Sequence, residues 1–310
     1  MSDSSPLADP RFLTRERQPG LDLLRALAIA LVVFYHAGIY GFALPHDWHR
    51  FGCWHRFGWV GVDLFFVLSG YLIAGPLLEP LAHGKRPNLV RFFWRRALRI
   101  LPAYLVILVV YFFLPSLREF PEIPPPWKFL AFVQNIGLCG GTACSHAWSL
   151  CVEGQFYLVL PFLLLLIVRW PNGGVVVACA VVVAGMALRA ALAQLHPAET
   201  GVSFRAFQRL VYYPTWTRLD PLVFGVSLAA IEHFRPRWWN RLTDSVPWLW
   251  VPGLGIIVYG LLLGEGDLTL ATYIWQFPLI ALGMATFGGW DWVEASLYLT
   301  RTYPTTWHSE

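Results

Sequence analysis

The chain has 310 residues, of which 56% are hydrophobic and only 14% charged, with a formal net charge of +4. Soluble domains carry about 25% charged residues, so this composition excludes an ordinary soluble enzyme and points to a chain dissolved in lipid. The small positive excess makes no case for nucleic acid as a partner.

Residues 1–20 are polar and contain Arg11, Arg15 and Arg17. They read as an N-terminal tail. The apolar stretch that follows is too long for a signal-peptide core and lacks a clear small-x-small cleavage site, so it is expected to be an uncleaved first span. A helix needs about 20 apolar residues to cross a bilayer. Eight stretches qualify in chain order: 21–44, 57–79, 98–117, 147–170, 174–195, 213–233, 246–264 and 268–287. The apolar stretch 129–138 is short and reads as re-entrant or interfacial. Long unbroken apolar runs exclude a closed β-barrel, whose strands alternate. The expected fold is therefore an all-α polytopic transmembrane helix bundle with about eight spans. A transmembrane domain is expected over 21–290 and a C-terminal tail over 291–310.

Lys and Arg in loops set orientation. With the N-terminus inside, thirteen fall in inner segments and six in outer ones. This predicts a cytoplasmic N-terminus in a multi-pass protein, as in a bacterial inner membrane. The outer pair Arg205 and Arg209 runs against the trend. Trp48, Trp54, Trp59 and Trp127 fall in outer loops and are candidates for stacking on sugars. The five cysteines show no metal-ligand spacing, and no metal is expected. Cys139 and Cys144 flank a Gly-Gly turn, where either a disulfide or free thiols would fit.

Ionisable residues inside spans are costly and face protein or water. The spans hold Asp22, Arg25, His36, Asp63, Arg99, Glu153, Arg189, Arg218, Asp220 and Glu232. At about 1.5 Å per residue, His36, Asp63, Glu153 and Asp220 are expected to share one level in the outer half. Arg25 precedes His36 by eleven residues, about 16 Å along the axis and about 20° around it. One helix thus carries a cation at one end and an imidazole at the other. Arg91, Arg95 and Arg99 form a stripe at the start of the third span, with Arg96 beside it. Arginine clusters bind phosphates, and an imidazole can take a proton from a hydroxyl. Together these describe a phosphorylated donor held at the inner face and an alcohol acceptor outside. Glu153 or Asp63 could support His36. Arg218 and Asp220 lie about 200° apart on a helix and need not share a partner; they are candidates for substrate binding, with packing salt bridges as the alternative. Ser69, in its Ser69-Gly70 step, is expected to serve helix packing. A proton-coupled transporter could use the same groups, although no inverted repeat or paired broken helices are evident.

These residues also resemble a known family. GLDLLRALAIALVVFYHAG carries Arg25, ten residues and then His36; GWVGVDLFFVLSGYLI follows as the second span. RRALRILPAY gives Arg96-x-x-Arg99, AWSLCVEGQFYLVLP places Glu153, and YPTWTRLDPLVFGVSLA holds Arg218 and Asp220. Five motifs in this order resemble the acyltransferase type 3 membrane family, which includes O-antigen and exopolysaccharide O-acetylases. The resemblance implies transfer of an acyl group, such as acetyl, from acyl-CoA to a carbohydrate or lipid-linked glycan hydroxyl. It implies a catalytic His36, with Arg25, Arg96 and Arg99 near CoA and no permanently bound cofactor. Family members usually have about ten spans. Here the chain ends in GGWDWVEASLYLTRTYPTTWHSE, so a naturally short or truncated end, and even an inactive relative that only binds acyl-CoA, are alternatives.

Overall fold

The computed structural model of the protein describes residues 19–39, 57–170, 172–195, 204–244, 249–265 and 269–302. The expected N-terminal tail up to residue 18, the loop with Trp48, Cys53 and Trp54, and residues 303–310 lie outside the described residues. The described residues form eleven α-helices and no strand. In chain order these are α1 (Pro19–Ile39), α2 (Val60–Ala82), α3 (Leu89–Phe113), α4 (Pro126–Leu130), α5 (Trp148–Ile167), α6 (Gly173–Leu195), α7 (Phe204–Phe207), α8 (Asp220–Phe234), α9 (Pro236–Asp244), α10 (Trp250–Leu262) and α11 (Leu270–Thr302). Five stretches are long and apolar enough to cross a membrane: 20–38, 60–82, 89–113, 145–167 and 173–195. Two shorter apolar helices, Val251–Leu262 and Leu270–Thr286, add to them.

Helix α2 is the axis of the bundle. Its sequence is apolar on every side, the pattern of a helix buried all round. Leu64, Phe66, Val67, Ile73, Ala74 and Leu77 are almost wholly enclosed. Lipid tails are as apolar as leucine, so close packing rather than escape from water holds such helices together. Two glycines permit that closeness. A Cβ on Gly70 would collide with the Leu222 carbonyl, and one on Gly225 with the Val67 carbonyl. Helices α2 and α8 therefore cross backbone to backbone. Helix α1 approaches α2 where Gly61 meets the Ala28 carbonyl. By contrast, α3 turns Val90, Trp94, Leu98, Leu105, Val106, Val109 and Phe113 outward. A contiguous apolar face of this size is what a lipid-contacting helix presents.

Three expectations need correction. The span read over 213–233 is not one helix. After α7 come a π-helical turn, Gln208–Tyr212, and a 3-10 turn, Thr215–Thr217, before α8 begins. Pro214 and Pro221 each lack the N–H that a continuous helix would use. Irregular backbone at membrane depth survives only where protein satisfies it. Here Asn135 Nδ2 donates to the Tyr213 carbonyl at 3.1 Å, and Arg189 Nη1 to the Thr217 carbonyl at 2.7 Å. Thr217 Oγ1 lies 2.7 Å from the Val211 carbonyl. The stretch 129–138 supplies that Asn135 from a short helix and turns. Second, the third span begins at Leu89, not 98. Asn88 caps it, accepting from the Arg91 N–H at 2.9 Å. Third, the expected tail from 291 continues α11 in helical form to Thr302.

Candidate functional site

Helix α1 places Arg25 nearly two turns inside its start and His36 in its last turn. The eleven-residue step from Arg25 to His36 spans about 16 Å. Each end of the helix meets a different set of polar groups.

At the Arg25 end, Arg25 Nη1 contacts Asp22 Oδ1 at 3.1 Å. Helix α3 brings Arg96 alongside. Arg96 is half-buried, reaches the Leu72 carbonyl at 3.4 Å, and lies 5.8 Å over the Tyr157 ring. Its guanidinium is within electrostatic range of Arg25, Arg99 and Glu153. The fold thus gathers Arg25, Arg96 and Arg99, which the sequence places on two helices. Glu153 joins this end. Its carboxylate is buried and accepts from Ser69 Oγ at 2.7 Å and from the Tyr157 hydroxyl at 2.6 Å. Ser69 therefore holds a carboxylate as well as adjoining the Gly70 crossing.

At the opposite end, His36 Nδ1 lies 2.8 Å from the Val32 carbonyl of its own helix. A carbonyl only accepts, so Nδ1 carries the proton and Nε2 is the basic nitrogen. The neighbouring rings are Tyr35 and His146, with centroids 5.4 and 6.5 Å away. His146 precedes α5. Its Nδ1 lies 3.6 Å from Glu119 Oε1, and its ring is 6.0 Å from that of Tyr111. Glu119 Oε1 in turn accepts from the Cys144 N–H at 2.9 Å. Cys144 is in a left-handed backbone conformation, which turns that N–H toward the carboxylate. Tyr111, Ser116, Leu117, Arg118, Glu119 and His146 line an open cleft of about 430 Å³. Cys139 and Cys144 are free thiols. Burial, with Glu119 adding to it, pushes the Cys144 thiol up to about 12.

Between the two ends lies a fully enclosed group of charges. Arg218 Nη2 contacts Asp63 Oδ1 at 2.9 Å, and both side chains have 0% exposure. None of the Arg218 nitrogens forms a well-directed hydrogen bond. The cation is held by rings instead: Phe277 at 4.0 Å, Tyr212 at 5.0 Å and Trp148 at 5.8 Å. Arg189 makes a two-pronged contact with Asp220, at 2.6 and 3.3 Å. Arg218 and Asp220 take different partners; Arg218 ends the 3-10 turn before α8, so the helical angle expected between them does not apply.

The single outer level expected for His36, Asp63, Glu153 and Asp220 is therefore split three ways. Asp63 and Asp220 belong to the enclosed group, Glu153 to the Arg25 end, and His36 to the rings next to His146. Depth along a helix says nothing about rotation around it. Glu153 bonds Ser69 and Tyr157, so the orienting contact to His36 that the sequence suggested is not made. The second imidazole near His36, His146, and the carboxylate next to it, Glu119, were missed. The signal was available: His146 stands directly before the Ala147-Trp148-Ser149 segment that was read as a motif.

Residues 18–302 match the acyltransferase 3 family, described as an acyltransferase domain. The chain belongs to this family. Among named relatives of this acyltransferase-family protein is a peptidoglycan O-acetyltransferase, OatA, of Listeria monocytogenes. It is 31% identical over 253 residues, covering 76% of this chain and 36% of that protein. An O-acetyltransferase OatA of Staphylococcus aureus is 29% identical over 239 residues, covering 72% of this chain and 35% of the relative. The chain thus spans about a third of the length of these curated relatives. No solved structure matches.

Proposed function

We propose that the protein is a membrane-bound O-acyltransferase. In this reading it moves an acyl group, probed first as acetyl, from acyl-CoA to a hydroxyl of a carbohydrate such as peptidoglycan. The observation that carries the reading is α1 itself, with a three-arginine cluster at one end and an imidazole beside an open cleft at the other. With a cytoplasmic N-terminus, Arg25, Arg96 and Arg99 would face the compartment that holds acyl-CoA. Three cations without an equal number of neighbouring carboxylates suit a polyanionic phosphate group.

The chemistry follows from the basic Nε2 of His36. It takes the proton as the acceptor O–H bond breaks. The oxygen forms a bond to the acyl carbon, and the carbon–sulfur bond of the thioester breaks. The departing thiolate then recovers the proton from the imidazolium. The Val32 carbonyl supports that imidazolium by accepting from Nδ1. Asp63, Arg218, Asp220 and Arg189 enter this reading as a frame. They are enclosed and already paired, so they position α2, α6 and α8 rather than touch substrate.

The test is acyl-CoA binding and transfer by purified full-length protein in detergent. A soluble oligomer of β-linked N-acetylglucosamine serves as acceptor. Arg99→Ala is expected to weaken acyl-CoA binding, and His36→Ala to bind it without turnover. Failure of wild type to bind acyl-CoA at all would end this reading. Uptake of solutes by proteoliposomes would then be measured, because the interrupted segment between α7 and α8 is a feature that transporters use.

A further inference from the structure

We infer that α9 lies in the membrane–water boundary and binds anionic phospholipid headgroups through Arg235, Arg237 and Arg241. This needs only the membrane bundle and holds whatever reaction the protein catalyses.

Local sequence makes α9 a separate helix. Arg235 precedes a proline, a position that disfavours continued helix, and α8 ends there with Arg235 at φ −136° and ψ 56°. Pro236 then opens α9, at the one helical position where a missing N–H costs nothing. At about 100° per residue, Trp238, Trp239 and Leu242 fall on one side of α9, and Arg237, Asn240 and Arg241 on the other. Core packing takes only part of the apolar side. Trp239 packs against the core, its ring stacked on that of Tyr71 with centroids 6.5 Å apart. Trp238 is left 63% exposed. Arg235, Arg237 and Arg241 are exposed as well. A helix with arginines on its polar face and a tryptophan at the edge of its apolar face suits the headgroup layer, not water or hydrocarbon.

The neighbouring elements put α9 at a cationic end of the bundle. Helices α2 and α8 run in the same direction. Asp63, near the start of α2, meets Arg218 just before α8. Tyr71, further along α2, donates its hydroxyl to Glu232 near the end of α8. The chain therefore enters α9 at the end where Lys85 and Arg86 stand exposed between α2 and α3. Residues 235–244 carry three arginines and one carboxylate, Asp244. That excess complements an anionic leaflet, where each added cation strengthens binding about fivefold. The exposed Trp238 beside these arginines selects a lipid over a free phosphate, which would leave the ring in water. Lys85 and Arg86 add charge but lie outside a helix with an apolar face.

The experiment is native mass spectrometry of the full-length protein in detergent, titrated with phosphatidylglycerol or with phosphatidylcholine. Wild type is expected to bind phosphatidylglycerol at least about fivefold more tightly than phosphatidylcholine. Arg237→Gln with Arg241→Gln should weaken phosphatidylglycerol about tenfold and leave phosphatidylcholine within about twofold. Trp238→Ala should weaken both lipids about threefold. Lys85→Gln with Arg86→Gln should change either affinity by less than about twofold. Equal affinity of wild type for the two lipids would overturn the assignment, as would an unaltered preference in the double arginine variant. A loss as large in the Lys85 and Arg86 variant would show diffuse surface charge rather than a site on α9. Displacement of phosphatidylglycerol by added CoA would give these arginines to a soluble phosphate instead. A lowered thermal transition in the double arginine variant would make them structural.

Discussion

Two regions of this molecule contain nearly the same chemistry and are built for different ends. The enclosed group holds two arginines and two carboxylates, with Asp63, Arg189 and Arg218 at 0% exposure and Asp220 at 2%. Its charges cancel, and aromatic rings close around Arg218. The group around His146 holds two imidazoles, His36 and His146, and one carboxylate, with the His146 side chain 41% exposed. Its charges do not cancel, and one side is open. Enclosure, not residue type, separates the two groups. A buried pair is intolerant of losing one partner, whereas an open group can exchange its partners for a ligand.

The comparison can be broken most sharply at His36. His36→Ala is expected to lower acyl transfer by about 10²- to 10⁴-fold with an unchanged thermal transition, measured by tryptophan fluorescence in detergent. A matching loss of stability would move His36 into the frame. The enclosed group should behave in the opposite way. Arg218→Met or Asp63→Leu alone should each cost about 3–5 kcal/mol of stability, because each strands a buried charge. The double variant should recover most of it. Two single effects that simply add would show that the pair is not coupled. Next, Arg99→Ala should weaken acyl-CoA binding about tenfold in a filter-binding assay and leave the thermal transition in place. The smallest effect is expected at Ser69→Ala. Loss of its bond to Glu153 should cost about 1 kcal/mol, read from the same melting curve, because Tyr157 still holds that carboxylate.

Much of this arrangement was legible in the sequence. The all-α architecture follows from apolar run length, which the bilayer dictates directly. Arg25, Arg96 and Arg99 were readable as one cluster because loop charge and helical spacing both place them at the same end. What could not be read was rotation. Position along the spans puts Asp63, Glu153 and His36 at one depth, but each faces a different neighbour and Glu153 sits with the Arg25 end. The interrupted segment also escaped notice. Its apolar composition mimics a span, and only the buried polar side chains of Asn135, Arg189 and Thr217 make its broken backbone tolerable. Glu119 and His146 lie outside the apolar runs, and a search confined to charges inside spans passes over them.

The contact between Asp63 and Arg218 has a consequence for how the chain is made. Asp63 leaves the ribosome about 155 residues before its partner, which at roughly 5–20 residues per second is a delay on the order of ten seconds. During that interval α2 carries a carboxyl group with no cation to meet it, in a segment that lipid alone would not welcome. The nascent α2 must therefore be sheltered, by the insertion machinery or by earlier helices, until α8 is synthesised. The backbone crossing at Gly70 and Gly225 can then close. Biogenesis of this bundle is a matter of holding an early helix in reserve for a late one.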